Sequence, residues 1–321
     1  MTKLIRVGIV GLGGQVQKNH LPALLASKSC SISAVCDSNA SLAQRLGAEL
    51  GVPSFTDLQT MASSKLVDAV LISVPHSFHF ELTRVALENN LHVLKEKPFA
   101  ISTEEAVFLA GFAKTRGLVL MTCVQRRFAD SNISFKRNLT LIGEPYLMNA
   151  RYSMDIQYLS EGWRGSDALA GGGCLIDMGY HMIDQILWYF GKPRSISASF
   201  SNGARPLQKY EVEDSASLLV DWGKLHGTVQ ISRAMPPKTD YIEVFGTNGS
   251  LSLSKGILTL RDSSGDSILE TVSTQLKIDP YLRQLDFFAY CIGYHVSPPS
   301  HVPQVSLIDR CYSQPLLQME K

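Results

Sequence analysis

The fold is decided close to the start of the chain, where residues 5–16 read IRVGIVGLGGQV. Ile5–Val10 is an apolar, largely β-branched run that predicts a buried strand, and a helical pattern follows over residues 15–27. The glycines of Gly11–Gly14 join the two segments and let a pyrophosphate approach the backbone where the helix begins. The stretch therefore predicts a dinucleotide-binding βα unit.

The first third of the chain continues to alternate between apolar strands and helical segments. Further strands are predicted over residues 32–36, 67–74, 91–94 and 118–122, and helices over residues 39–50, 77–90 and 102–116. Nearly continuous hydrophobicity in such strands is typical of a parallel sheet buried on both faces. The alternation predicts right-handed βαβ units and a doubly wound α/β sheet.

Asp37 ends the second predicted strand, 24 residues after Gly13 (37 − 13 = 24). A carboxylate at this position bonds the ribose hydroxyls of a dinucleotide and repels a 2′-phosphate, which favours NAD over NADP. Val16 departs from the glycine or alanine expected at the third fingerprint position. The alternative is a purely structural turn, and Asp37 together with the strand–helix frame weighs against it.

Polar residues also end two later strands of the predicted sheet. Ser73–His76 follows one strand, with His79 just beyond it, and Glu96–Pro98 follows the next. Ligands of doubly wound sheets bind across the carboxyl ends of the strands, where these residues would lie. A capping or packing role for His79 and a solvated surface position for Lys97 are the alternatives.

The second half of the chain changes to strict alternation of apolar and polar residues. Strands are predicted over residues 195–200, 226–232, 241–245, 251–253 and 257–260, and helices over residues 281–293 and 304–314. Asn248–Gly249 predicts a hairpin turn. The pattern predicts an α+β domain with a large open, mostly antiparallel sheet, whose free face is a candidate oligomer interface.

A second informative stretch reads GGGCLIDMGYH over residues 171–181. Asp177 and His181 lie four residues apart, on one face of a predicted helix that is otherwise apolar through Phe190. Buried polar side chains need partners, either other side chains or a bound ligand. The three glycines predict a close backbone approach that lets this helix face a cofactor. The alternative is a structural hydrogen bond, and one histidine with one aspartate falls short of a metal site.

Composition excludes several classes of function. The 321 residues are 45% hydrophobic and carry a net charge of +1, with no block of like charges that would attract nucleic acid or an anionic membrane surface. No apolar run reaches the length of a transmembrane helix. The six cysteines form no C-x-x-C pair. That pattern predicts reduced thiols and a cytoplasmic protein.

Taken together, the motifs resemble those of the glucose-fructose oxidoreductase / inositol dehydrogenase / MocA family. The matching segments occur in the family's order and are Gly11-x-Gly13-Gly14, Asp68-Ala69-Val70-x-Ile72-x-Val74-Pro75-x-x-x-His79, His92-Val93-Leu94-x-Glu96-Lys97-Pro98 and Gly171-Gly172-Gly173-x-Leu175-x-Asp177-x-Gly179-x-His181-x-x-Asp184. The resemblance implies an NAD(P)-binding Rossmann domain over residues 1–122. It implies a substrate-binding and oligomerisation domain over residues 123–321, with a C-terminal helix that packs back on the first domain.

The resemblance also implies the site residues. Lys97, Asp177 and His181 would be catalytic, with a cis bond before Pro98. Cofactor contacts are expected from Gly11, Gly13, Gly14, Gln15, Val16, Asp37, Ser38, Ser73, Val74, Pro75, His76, His79, Glu96, Lys97 and Pro98. Substrate contacts are expected from Lys97, Gln125, Arg127, Tyr152, Trp163, Arg164, Asp177 and His181. His76 departs from the family pattern, which usually has asparagine there.

The leading hypothesis is an NAD-dependent oxidoreductase, with NADP as the alternative cofactor. It would transfer a hydride between nicotinamide and a secondary alcohol or ketone of a sugar, cyclitol or sugar derivative. A homodimer or homotetramer through the C-terminal sheet is expected. Two alternatives stay open, namely a non-redox regulatory protein that binds NAD(P) or a metabolite, and an enzyme that uses tightly bound NAD for internal redox. Retention of Lys97, Asp177 and His181 argues against the first, because a sensor needs no base.

Overall fold

The computed structural model describes residues 4–313, which divide into two compact units. The first unit contains the described residues up to Phe128 together with Leu276–Val305. The second contains Ala129–Gln275 and the described residues from Ser306 onward. The sequence places the division at residues 122 and 123, whereas the chain here changes units at Phe128 and later returns to the first unit.

The first unit is a doubly wound α/β domain, as predicted. Its strands are β1 (Ile5–Val10), β2 (Cys30–Cys36), β3 (Ser54–Phe55), β4 (Ala69–Ile72), β5 (His92–Lys95) and β6 (Leu120–Thr122). They are parallel and lie in the order β3-β2-β1-β4-β5-β6. The strand order reverses between β1 and β4, and such a switch point is where doubly wound sheets bind ligands.

Helices connect these strands. They are α1 (Leu21–Ala26), α2 (Ala40–Leu50), α3 (Leu58–Ser63), α4 (His79–Glu88) and α5 (Thr103–Thr115). A π-helical turn, Val16–His20, runs directly into α1, so the predicted helix is present with a widened first part. Short 3-10 turns lie at His76–Phe78 and Gln125–Phe128.

Before residue 306, the second unit combines three α-helices with a large sheet. Its helices are α6 (Asp130–Asn138), α7 (Asp167–Ala170) and α8 (Tyr180–Phe190), and its strands are β7 (Pro145–Asp155), β8 (Ser195–Ser201), β9 (Ser215–Asp221), β10 (His226–Ser232), β11 (Ala234–Gly246), β12 (Gly249–Ser254), β13 (Ile257–Asp262) and β14 (Ser267–Val272). The order is β14-β13-β12-β11-β7-β10-β9-β8. Only β7 and β10 pair in parallel among these neighbours, so the predicted antiparallel character is confirmed.

The predicted hairpin between β11 and β12 is present, with its turn shifted by one residue. Gly246 pairs with Gly249, so Thr247 and Asn248 form the turn rather than Asn248 and Gly249. Gly249 opens β12 with φ +147°, and a Cβ there would lie 2.0 Å from the carbonyl oxygen of Arg261. The glycine is therefore needed for close packing beside the next strand and not for the turn.

Two helices end the described chain, α9 (Asp279–Tyr294) and α10 (Val302–Tyr312). α9 belongs to the first unit, where Leu285 and Phe288 join the core formed around β1 and β2. Among residues 4–313, no helix is both long and apolar enough to cross a membrane.

Candidate functional site

The glycine turn after β1 has the geometry of a phosphate cradle. Gly11 adopts φ +84°, and a Cβ there would lie 2.2 Å from the carbonyl oxygen of Ser73, so only glycine fits. A Cβ at Gly13 or Gly14 would meet nothing within 4 Å, which leaves open space beside the backbone where the helix begins. Val16 is 1% exposed and packs in the core. The valine that replaces the expected glycine or alanine therefore points to the buried side of the turn, and the space beside Gly13 and Gly14 stays open.

Asp37 lies beside this turn at the end of β2. Its Oδ2 accepts a hydrogen bond from the backbone N–H of Leu12 at 2.7 Å, and its Oδ1 accepts one from Asn39 at 2.9 Å. The carboxylate is thus fixed next to the cradle, where the ribose of a dinucleotide is held in this fold. Ser38 follows it and is exposed. These residues fit the adenosine half of an NAD molecule.

The strand-end histidines are buried. His79 is 1% exposed, and its ring nitrogens lie 3.1 Å from the carbonyl oxygen of Pro98 and 3.0 Å from that of Val74. Burial, with the nearby charges of Lys95 and His76, lowers the pKa of His79 well below 6.5. The neutral ring therefore donates a hydrogen bond to one of these carbonyl oxygens and packs between the segments that follow β4 and β5. Its place matches the packing alternative, and His76, 3% exposed, lies edge-on to it.

Glu96 connects the glycine turn to Lys97. Its carboxylate accepts hydrogen bonds from the side chain of Gln15 at 2.8 Å and from the backbone N–H of Lys97 at 3.2 Å, and it lies 2.7 Å from Nε2 of His20. Burial alone would raise the pKa of Glu96, but His20, Lys97 and Gln15 lower it to about 2. The ionised carboxylate thus fixes the Lys97 backbone, and the Lys97–Pro98 bond is cis.

His20, Glu96 and Cys123 together bring three potential metal ligands within 4.8 Å of one another. Burial and the charge of Glu96 raise the pKa of Cys123 well above 9.0, so the thiol keeps its proton. Within this cluster His20 lies at hydrogen-bond distance from the Glu96 carboxylate, 2.7 Å away, and so supports it. No local sequence pattern indicated this role for His20.

Lys95 is a buried lysine that the sequence analysis did not single out. It ends β5 with no exposed surface, and its Nζ donates a hydrogen bond to the carbonyl oxygen of Phe99 at 2.8 Å. Burial lowers the pKa of Lys95 from 10.5 to about 7, against an opposing effect of Glu105. The buried side chain therefore holds the segment Glu96–Phe99 in place through its bond to the Phe99 carbonyl oxygen.

This lowered pKa predicts a pH-dependent stability. Above pH 7 the folded chain releases the Lys95 proton, whereas the unfolded chain keeps it until the pH approaches 10.5. The free energy of unfolding therefore rises with pH in this range, and the slope from this group approaches about 1.4 kcal/mol per pH unit once the folded group is mostly neutral. Lys95→Met should remove that rise in urea unfolding, whereas Lys114→Met, at an exposed lysine of α5, should keep it. Equal slopes in wild type and Lys95→Met would rule out the assignment.

In the second unit, Asp177 is held by two arginines. It lies in the π-helical turn Leu175–Gly179 that leads into α8, and its Oδ2 is 3.1 Å from Nε of Arg164 and 3.3 Å from a terminal nitrogen of Arg233. Arg233 is 2% exposed and also donates to the carbonyl oxygen of Arg164 at 3.0 Å. Asp177 therefore has side-chain partners in the folded protein. Arg233 was missed because it lies 56 residues from Asp177 with no local pattern to mark it.

The other predicted residues of this unit are Tyr152, Trp163, Arg164 and His181. His181 is partly exposed on the first turn of α8, and the ring of Tyr152 on β7 lies edge-on to it with ring centroids 6.5 Å apart. The Arg164 guanidinium lies 4.3 Å from the centroid of the Trp163 ring. A partly exposed imidazole next to an aromatic ring, four residues after a fixed carboxylate, is suited to bind and deprotonate a hydroxyl group. Gln125 and Arg127 belong to the first unit.

The three glycines allow the close backbone approach that was predicted for them. Gly171 ends α7 with φ +67°. A Cβ at Gly172 would lie 2.5 Å from the Tyr312 hydroxyl, and a Cβ at Gly173 would lie 2.0 Å from the carbonyl oxygen of Glu213. The close approach is thus made to residues of the same unit, and that the helix faces a cofactor stays a prediction.

The parallel sheet, the glycine cradle and the fixed Asp37 define a dinucleotide-binding protein of the Rossmann class. The family model described as "Oxidoreductase family, NAD-binding Rossmann fold" matches residues 5–123, and the model of the Gfo/Idh/MocA C-terminal domain matches residues 140–252. The chain belongs to the Gfo/Idh/MocA family of oxidoreductases, as its motifs indicated.

Named relatives of this family act on sugars and cyclitols. The chain is 33% identical to the D-glucoside 3-dehydrogenase of Escherichia coli over 221 residues, which cover 68% of this chain and 62% of that protein. It is 26% identical to the scyllo-inositol 2-dehydrogenase (NADP(+)) IolW of Bacillus subtilis, over 77% of this chain and 68% of that one. The match thus spans less than two thirds of the first relative's length.

A solved structure shows the same fold. The 3-ketoreductase KijD10 from Actinomadura kijaniata, in complex with TDP-benzene and NADP, superposes with a TM-score of 0.84. The superposition covers 97% of this chain and 98% of that one at 20% identity.

Proposed function

We propose that the protein is an oxidoreductase that transfers a hydride between a nicotinamide dinucleotide and a secondary alcohol or ketone of a sugar, cyclitol or sugar derivative. The observation that carries this proposal is His181, a partly exposed imidazole on the same helix as a carboxylate fixed by two arginines. Membership in an NAD-binding oxidoreductase family and relatives named as glucoside and inositol dehydrogenases support the reaction class.

The open cradle at Gly13 and Gly14 and the carboxylate of Asp37 would hold the dinucleotide. When bound, the nicotinamide ring supplies the acceptor or donor of the hydride. Glu96 would orient Lys97 beside it through the bond to the Lys97 backbone. Asp37 favours NAD over NADP, because it would repel a 2′-phosphate.

We propose that His181 accepts the hydroxyl proton of the substrate when the alcohol is oxidised. An alcohol is too weak an acid to lose its hydroxyl proton unaided at neutral pH, and imidazole has an ordinary pKa near about 6.5, which suits a base. Asp177 would act as a fixed anion that stabilises the imidazolium, because two guanidinium groups favour its charged form. Lys97 would donate a hydrogen bond to the reacting oxygen and stabilise negative charge that develops there.

A substrate panel tests this function. Purified protein is offered sugars, sugar phosphates, nucleotide sugars and inositols with NAD or NADP, and nicotinamide absorbance is followed. We expect turnover of at least one polyol, with NAD preferred. A clear NADP preference would refute the role given to Asp37. Binding without turnover would indicate a regulatory protein, and turnover without added cofactor would indicate tightly bound NAD and internal redox.

We also propose a cytoplasmic homodimer or homotetramer. All six cysteines are free thiols and buried, which suits a reducing compartment. Along β9 and β10 buried and exposed side chains alternate, so one face of the sheet lies open, with Leu219 among its exposed residues. Such a face is a candidate for self-association, and a single-chain molar mass by light scattering would contradict it.

A further inference from the structure

We propose that Glu213 is a positioning residue of the reaction, which fixes the helical turn that carries Asp177 and His181. The inference rests on the proposed function, because it assigns a role toward those two side chains. Glu213 precedes β9 and lies 32 residues beyond His181 (213 − 181 = 32). It belongs to none of the motifs by which the site was predicted.

Glu213 accepts most of the hydrogen bonds from the backbone N–H groups at the start of the helix that carries Asp177 and His181. The Glu213 carboxylate accepts hydrogen bonds from the backbone N–H groups of Gly173 at 2.8 Å and Leu175 at 2.9 Å. Its carbonyl oxygen accepts one from Cys174 at 2.9 Å. The first N–H groups of a helix have no partner within the helix, so these bonds determine where the helix begins and how it is oriented. The negative charge is also favourable at this end of the helix.

Tyr312 completes the arrangement from α10. Its hydroxyl donates to the Glu213 carboxylate at 2.8 Å and accepts from the backbone N–H of Ile176 at 3.3 Å. The N–H groups of four consecutive residues, 173–176, are therefore bound by Glu213 and Tyr312. Glycine at 172 and 173 makes this possible, since a side chain there would occupy the space of these two residues.

The next residue in the chain is Asp177. Its backbone N–H makes an intrahelical bond to the carbonyl oxygen of Gly173 at 3.1 Å, and its side chain must meet Arg164 and Arg233. Because Asp177 and His181 share one rigid helix, a shift of the bound turn would move both relative to the arginines and the substrate. A displacement of about 1 Å in the position of a reacting group can lower turnover by roughly 10²-fold.

The test is Glu213→Gln, which keeps the shape of the side chain but replaces one accepting oxygen by an NH₂ group that faces a backbone N–H. We expect kcat to fall by about tenfold to a hundredfold while the Kd of NAD is unchanged. The acidic limb of the pH profile of kcat should move to lower pH, because a displaced Asp177 stabilises the imidazolium less. A purely structural role would lower the Tm and leave that limb in place.

Glu211→Gln is the matched control. Glu211 also accepts a hydrogen bond from a helical N–H, that of Asp167 at 2.8 Å, but at the start of α7. It should leave kcat and the pH profile unchanged. If Glu213→Gln does not fold, Tyr312→Phe removes one of the four bonds while keeping the ring that stacks on Phe200, and a smaller loss of kcat is expected.

Suppose that the wild type turns over a substrate and that the folded Glu213→Gln and Tyr312→Phe variants keep its kcat and its pH profile. That result would overturn the positioning role alone. Absence of wild-type turnover on the whole substrate panel would remove the proposed function, and the positioning role with it.

Discussion

Replacing His181 by alanine is expected to lower kcat by at least about a hundredfold, since a positioned base contributes roughly 10²–10⁴-fold to proton transfer. The loss should appear in kcat and not in the Kd of NAD, because the glycine cradle, Asp37 and Glu96 all belong to the first unit and His181 to the second. Steady-state kinetics on the best substrate of the panel and fluorescence titration with NAD would measure the two quantities separately.

His226→Ala provides the control for this experiment. His226 is an exposed histidine of β10 whose partner is Asp221 at 3.5 Å, so its removal should leave turnover unchanged. Near-normal turnover by His181→Ala would show that another group takes the proton. A loss of NAD binding together with turnover would show that the variant is damaged beyond the site.

Replacing Asp177 by asparagine is expected to reduce both turnover and stability. Arg233 is 2% exposed, and it forms an ion pair with the buried carboxylate of Asp177. Removing one partner of a buried ion pair leaves the other charge uncompensated, so we expect the free energy of unfolding to fall by about 3 kcal/mol. Urea unfolding measures this change, and kcat is measured on the folded fraction.

Two further variants separate burial of charge from loss of side-chain shape. Asp155→Asn breaks a partly exposed pair with Arg205, and pairs of that kind contribute less than about 1 kcal/mol. The double variant Asp177→Asn with Arg233→Met removes the stranded charge and should recover part of the stability without recovering turnover. If Asp177→Asn were no less stable than Asp155→Asn, the buried pair would not have the importance given to it.

The local parts of this fold could be predicted well from the sequence. Ile5–Val10 forms a strand with the predicted bounds, and Gly11 and Asp37 lie beside each other as the fingerprint implies. The strand depends on residues near one another in the chain, and the contact of the turn with Asp37 follows from the known spacing of the dinucleotide-binding pattern. The helix that contains Asp177 and His181 also ends at Phe190 as expected, because Gly191 follows with φ +76°.

The parts that could not be predicted depend on contacts across long stretches of chain. No strand was predicted over β7, and its place between β11 and β10 could not be predicted either, because both neighbouring strands come much later in the chain. Arg233, Glu213 and Tyr312 each act on the turn at Asp177 through bonds that span dozens of residues. Nothing in their immediate sequence distinguishes them from surface or packing residues.

The most direct test of hydride transfer follows deuterium from the carbinol carbon of a polyol substrate to the nicotinamide. With NAD and a substrate deuterated at the carbon that is oxidised, we predict that the reduced nicotinamide carries the deuterium, as read by mass spectrometry. His181→Ala should form that product at least about a hundredfold more slowly. Deuterium that never reaches the nicotinamide, although NAD and the polyol both bind, would contradict the oxidoreductase function and favour a regulatory binding protein.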